Sequence, residues 1–202
     1  MNGNEHDTQE LDELDELDLP SDELGGITKI EEKFRTIGLF GELNEETAAE
    51  VIFGIHSLAM DTDTEKAIEI IISSPGGHAS DMFAIYDIIR YHRETQPIET
   101  FGIGKVMSAG VLILAAGTKG CRKIGKHCRV MLHQCSAGSI GSVSSLEVEM
   151  TEIGILQEQY FRALAAESNL TFNQLKKMVA KNQNVYFSAD DAIKYGIADT
   201  IV

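Results

Sequence analysis

From Ile27 onward, short β-branched or apolar stretches alternate with segments of helical periodicity. That alternation restricts the chain to an α/β fold with a mostly parallel sheet. The clearest strand is residues 67–73 (AIEIIIS), a run of the kind buried inside a sheet. Thr36–Leu43 (TIGLFGEL) precedes it as a strand, and Asn44 is placed to cap a helix through Met60, with Glu45 and Glu46 in its first turn. A helix over residues 80–92 carries Met82, Ile85, Ile88 and Ile89 on one side. A strand over 98–104 leads into an apolar helix over 108–116, and two short strands follow at 121–124 and 129–134. A closing helix over 172–181 and a strand-like Tyr186-Phe187 lead to Ser188, which can cap a short helix ending at Gly196.

One helix does not fit a small globule. Residues 146–167 hold no proline and one glycine, which predicts about 22 helical residues, roughly 33 Å. Leu146, Met150, Ile153, Tyr160 and Leu164 follow one stripe, whereas Val148, Ile155 and Phe161 lie off it. Such a helix projects from the body and is expected to be buried against a second subunit.

Residues 1–26 form a separate acidic tail, with the rest of the chain, 27–202, as a single domain. The tail carries Glu5, Asp7, Glu10, Asp12, Glu13, Asp15, Glu16, Asp18, Asp22 and Glu23, with no Lys or Arg. Its Leu-Asp-Glu repeat of period three suits neither a strand nor a helical stripe, and clustered like charges repel, so a disordered segment is predicted. It contributes much of the net charge of −15, from 32 acidic against 17 basic residues. A chain so acidic is a poor partner for nucleic acid, which is bound through positive charge. No apolar run is long enough to cross a membrane and no secretory signal is visible. With three cysteines, a reducing, cytoplasmic location is expected.

Three loops following strands carry residues suited to acyl transfer. Ser74-Pro75-Gly76-Gly77 comes straight after the buried strand, and its glycines let backbone N–H groups approach a ligand as an oxyanion hole requires, although any Pro-Gly-Gly also reads as a tight turn. Gly104 to Gly110 places Ser108 between a strand and an apolar helix, with small Ala109 and Gly110 leaving room for substrate. An ordinary serine N-cap explains that serine equally well. His133 ends an otherwise apolar strand and is a candidate general base, or simply a satisfied core histidine. Cys121, Cys128 and Cys135, with His127 and His133 between them, raise the question of zinc. No two cysteines stand two to four residues apart as structural zinc sites have them, so neither a metal nor another cofactor is expected.

Taken in order, these segments resemble the proteolytic subunit of the Clp protease, ClpP. The resemblance is carried by Ile72-Ser73-Ser74-Pro75-Gly76-Gly77, Ala84-Ile85-Tyr86-Asp87, Gly104 to Gly110 with Leu114-Ala115-Ala116-Gly117, Arg129 to Gln134, and Phe187-Ser188-Ala189 through Asp199. It implies a ClpP/crotonase-like spiral of ββα units and a serine endopeptidase acting on unfolded polypeptide. Ser108 would be the nucleophile, His133 its base, and the backbone N–H groups of Gly77 and Ala109 the oxyanion hole. The long helix would be the family's handle, interlocking two seven-membered rings into a homo-oligomeric tetradecamer served by an ATP-driven AAA+ unfoldase. Gly138 and Gly141 fall in the loop before the handle, whose strand lies beside bound peptide in the family.

The resemblance also exposes a gap. The family's catalytic aspartate precedes the Phe-Ser-Ala stretch, and residues 178–185 contain no carboxylate. Alignment from the right puts Ala180 at that place, and alignment from the left puts Lys181 there; the arginine usually beside the aspartate is absent too. Asn182 or Asn184 could accept the imidazole N–H instead. An asparagine cannot stabilise imidazolium by charge, and loss of the aspartate costs about 10⁴-fold in serine proteases, so weak or conditional activity is expected. Two further readings follow: a weakly active or inert subunit that mixes with active Clp subunits, and a crotonase-type acyl-CoA enzyme, which shares the fold but needs no Ser-His pair.

Overall fold

A computed structural model describes residues 34–60, 66–136, 138, 140–180 and 183–202. The acidic tail lies outside the described residues.

Strand β1 (Thr36–Leu43) runs into helix α1 (Glu45–Ala59), then β2 (Ile68–Gly77), α2 (Ala79–His92), β3 (Ile98–Met107) and α3 (Ala109–Ala115). The short strands β4 (Arg122–Ile124) and β5 (Arg129–Leu132) precede the long α4 (Val143–Glu167). α5 (Phe172–Val179), β6 (Val185–Phe187), α6 (Ala189–Lys194) and β7 (Thr200–Ile201) complete the chain. The strand order β1-β2-β3-β4-β7 is parallel throughout. β3 is long enough to pair twice: residues 100–102 lie against β4 and residues 105–107 against β5, both in parallel. β6 alone runs antiparallel, against β5.

The boundaries have local causes. Asn44 caps α1 by accepting from the Thr47 N–H at 3.0 Å, while the Thr47 hydroxyl accepts from the Asn44 N–H at 3.0 Å. Such a cap contributes roughly 1 kcal/mol. In β2, Ile68, Ile70 and Ile72 are fully buried while the residues between them are half-exposed. Each buried isoleucine contributes roughly 1.5–3 kcal/mol. α1 and α2 lie side by side and bury Ala48, Val51 and Ile55 with Met82, Ile85 and Ile89. Every residue of α3 is buried, which makes it the centre of the core.

Two strands outrun their sequence-based limits. β2 does not end at Ser73 but continues through Gly77, paired to Leu43 of β1; β3 continues past Gly104 to Met107. Register shifts mark both extensions, between Phe40 and Glu42 and between Ile72 and Ser74, and they fall at Gly41 (φ 85°) and Gly104 (φ 61°). Bulges of this kind bend a strand and re-aim its last residues.

α4 begins at Val143, three residues before the expected Leu146, and ends at Glu167 as expected. Only Tyr160, Phe161, Leu164 and Glu167 of it are buried, while Val143, Val148, Met150 and Ile155 stand exposed. Its C-terminal end is tied down by charge. The Glu167 carboxylate, 3% exposed, accepts from Tyr86 Oη at 2.9 Å and Arg93 Nη2 at 2.7 Å, with Lys119 Nζ 3.5 Å from its second oxygen. Burial alone would raise its pKa; the Arg93 hydrogen bond and charge, with Tyr86 and Lys119, outweigh this and hold it below the ordinary value. Beside it, Arg122 donates to the carbonyls of Ala115 (3.3 Å), Glu167 (2.8 Å) and Gly196 (2.8 Å) and pairs with the Asp199 carboxylate. One planar guanidinium thereby caps the ends of α3 and α4 and holds the turn beyond α6.

Candidate active site

Ser108 is where β3 hands over to α3, and its backbone is unusual. At φ 52° and ψ −122° it is the one non-glycine with positive φ among the described residues. Its side chain makes no capping bond to α3, so the simple N-cap explanation fails. Such a conformation costs roughly 1–3 kcal/mol and persists only where its surroundings over-determine it. They do so here. The Ser108 N–H donates to the Met131 carbonyl at 2.8 Å, and the Ser108 carbonyl accepts from the Val111 N–H at 3.0 Å and the Tyr160 hydroxyl at 2.9 Å.

The hydroxyl turned out by this backbone meets an imidazole. β5, paired to the end of β3, delivers His133 one residue beyond its own end at Leu132, and His133 Nε2 stands 2.7 Å from Ser108 Oγ. His133 is half-exposed, so a satisfied core histidine does not describe it.

Ser74-Pro75-Gly76-Gly77 is strand rather than free turn. Ser74 Oγ donates to the Gly41 carbonyl at 2.6 Å and accepts from the Gly76 N–H at 3.0 Å, which braces the segment. A Cβ on Gly77 would lie 2.0 Å from the Leu43 carbonyl oxygen, so no side chain fits. The next N–H, of His78, donates to that same carbonyl at 3.0 Å. The Ala109 N–H has no acceptor among the described residues: it is the first N–H of α3, and such a group has no partner within its helix.

Gly77, Ser108, Ala109 and His133 line one cavity of about 250 Å³, whose apolar walls include Met82, Ile153, Leu156 and Tyr160. α4 thus supplies one side of the site. Gly110 is not among the lining residues; it is buried in α3, where an added Cβ would make ordinary contacts with Ser74 and Val106.

A family model for the Clp protease matches residues 26–202. The chain belongs to the Clp protease family. Among curated relatives, it is 34% identical over 168 residues to the ATP-dependent Clp protease proteolytic subunit 2 of Gluconobacter oxydans, covering 83% of this chain and 74% of that one. It is 34% identical over 168 residues to proteolytic subunit 4 of Rhodococcus jostii, covering 83% and 84%. Over 171 residues it is 36% identical to proteolytic subunit 1 of Chlamydia felis, covering 84% and 81%. The acyl-CoA reading is set aside by this membership.

Ala180 is the exposed C-cap of α5 and lines neither this cavity nor the one beside it. Lys181 and Asn182 lie outside the described residues. Asn184 is different: it shares with His133, Gln134, Cys135, Ser136, Met150 and Ile153 the wall of a second cavity, of about 480 Å³. β6, antiparallel to β5, brings it there through the pairing of Val185 with Leu132.

The cysteines divide by position. Cys128 is a core residue whose thiol burial pushes up to about 11. Cys135 lines both cavities, its own thiol pushed up by burial and its backbone N–H held by Gln157 Oε1 at 3.0 Å. Nothing in the sequence pattern reveals this place of Cys135 at the site. Gly138 and Gly141 are exposed between β5 and α4, where the described residues form no strand. No helix among the described residues is long and apolar enough to cross a membrane.

Proposed function

We propose that this Clp protease subunit is a serine endopeptidase, with Ser108 as nucleophile, His133 as general base, the N–H groups of Gly77 and Ala109 as oxyanion donors, and Asn184 as the residue orienting the imidazole. The observation that carries the reading is the 2.7 Å contact of Ser108 Oγ with His133 Nε2, made at a strained backbone position. His133 Nε2 takes the hydroxyl proton as Oγ attacks the scissile carbonyl carbon. The carbonyl oxygen then carries the negative charge, towards the two backbone donors. Collapse of that adduct breaks the C–N bond, and the departing amine receives the proton from His133. Water, deprotonated by the same nitrogen, hydrolyses the ester and regenerates Ser108. An Asn184 side-chain oxygen accepting from Nδ1–H would fix the tautomer this cycle needs, while leaving imidazolium without a countercharge.

The substrate class is unfolded polypeptide, and the apolar cavity wall suits an apolar side chain. The exposed apolar residues of α4 support burial against a second subunit, and membership of the Clp protease family favours an assembly of two stacked heptameric rings. An ATP-driven AAA+ unfoldase as partner is supported by the names of the relatives, which are ATP-dependent proteolytic subunits. A cytoplasmic location is supported by three free cysteines.

A second reading has its own observation. Residues 178–185 offer no carboxylate to His133, which favours a weakly active or inert subunit mixing with active Clp subunits. Fluorophosphonate labelling of the assembled full chain separates the two. An adduct on Ser108, absent in Ser108→Ala, supports the peptidase; no adduct at all, with co-purification of active subunits, supports the inert partner.

A further inference from the structure

The peptide group joining Ser108 to Ala109 is used from both ends. Its N–H is the proposed oxyanion donor. Its C=O accepts from Tyr160 Oη at 2.9 Å and from the Val111 N–H at 3.0 Å. Tyr160 comes from α4, with the residue 5% exposed and its ring forming part of the cavity wall. Burial pushes its phenol far above the ordinary value, so the hydroxyl remains a donor wherever a peptidase is assayed.

We infer that Tyr160 is a positioning residue for the oxyanion hole: through the Ser108 carbonyl, its hydroxyl fixes the plane of the Ser108–Ala109 peptide and strengthens the Ala109 N–H as a donor. The inference rests on the serine-peptidase reading. Two physical effects support it. A hydrogen bond to an amide oxygen polarises the whole amide, and chains of such bonds strengthen each other by roughly 10–30% per bond. Secondly, the strained Ser108 backbone needs to be held, and Tyr160 supplies the side-chain part of its clamp. An oxyanion donor acts only if already aimed at the place where charge develops.

The competing account is that a buried tyrosine simply needs an acceptor and finds one. The two differ in which kinetic constant they touch. A tyrosine that only fills space, changed to phenylalanine, alters stability or substrate affinity. A positioning tyrosine alters the chemical step in an assembled, folded enzyme.

The test uses Tyr160→Phe in the full assembled chain, measuring the rate of fluorophosphonate adduct formation on Ser108 and kcat and KM on a short fluorogenic peptide. The variant is expected to lose about tenfold in acylation rate and kcat with KM changed by less than about twofold, a fraction of the 10²–10³ that follows loss of a whole oxyanion donor. Equal rates in the two proteins would overturn the inference while leaving the peptidase reading intact; so would a raised KM at constant kcat. Failure of the wild type itself to form an adduct would overturn both. If the phenylalanine variant does not assemble, 3-fluorotyrosine at position 160 provides the opposite change, a stronger hydroxyl donor of nearly the same size. A raised kcat is then expected, and an unchanged kcat overturns the inference.

Discussion

Gly76 stands directly against Ser108: a Cβ built on it would lie 2.6 Å from the Ser108 Cβ and 2.8 Å from the Met107 carbonyl oxygen. The glycine also holds φ 96°, where a side chain is strained whatever the space. Gly76→Ala is therefore expected to push the β3–α3 corner away from His133. Adduct formation on Ser108 should fall by at least about 10²-fold, since a displacement near 1 Å suffices for that, with about 1–3 kcal/mol lost in denaturant unfolding. An alanine variant that labels at the wild-type rate would mean the corner is not sterically set.

The backbone at Ser108 predicts an unusual stability order. Ser108→Ala keeps the side chain that φ 52° disfavours and should leave unfolding nearly unchanged. Ser108→Gly removes the disfavour and is expected to be more stable than the alanine variant by about 1 kcal/mol, with neither forming an adduct. Thermal denaturation of the two variants side by side checks this. An alanine variant that melts at the same temperature or higher counts against stored strain.

Asn184→Asp returns a carboxylate to the wall that His133 shares. Peptide turnover is expected to rise by about 10²-fold or more, towards the 10⁴-fold that the aspartate is worth elsewhere, while Ala180→Asp, exposed on α5, should change nothing. Turnover of the two variants on one peptide decides between the positions.

Acid sensitivity should trace in part to Glu167. Its folded-state pKa is depressed, so the stability it contributes is complete above the ordinary carboxylate pKa and is lost as pH falls through the lower, folded value. Glu167→Gln is expected to lose stability at pH 7, by about 3 kcal/mol if Arg93 is left without its partner. It should also show a flatter decline between pH 5 and 3 than the wild type. Denaturant midpoints at those pH values test both halves.

Much of this architecture is legible because local rules decide it. Asn44 and Ser188 sit where caps are needed, and both cap. The apolar faces of α4, exposed along its first turns, show in its pattern before any partner is considered. The glycine segment was less legible: Gly76 and Gly77 read as a turn by composition, but β1 supplies pairing partners that a local window does not contain. β7 pairs with β4 over just two positions, too few to leave a pattern. At the candidate site, the residues brought together in one cavity, Gly77, Ser108, Ala109 and His133, all lie in the ordered motifs. Tyr160 does not, because its contact with Ser108 spans 52 positions and looks in sequence like one more apolar residue of a helix. Cys135 was hidden for a similar reason, since its place in the cavity wall depends on how α4 folds back.

The guanidinium of Arg122 reaches the final turns of α3 and α4 and the Gly196 carbonyl beyond α6, so none of these segments can peel off the body without breaking bonds that also hold the other two. Fraying, which in most domains begins at a terminus and spreads, must here begin as a joint event. Amide hydrogens near the chain's C-terminal end should accordingly exchange with solvent at rates close to those of the central helix bearing the serine.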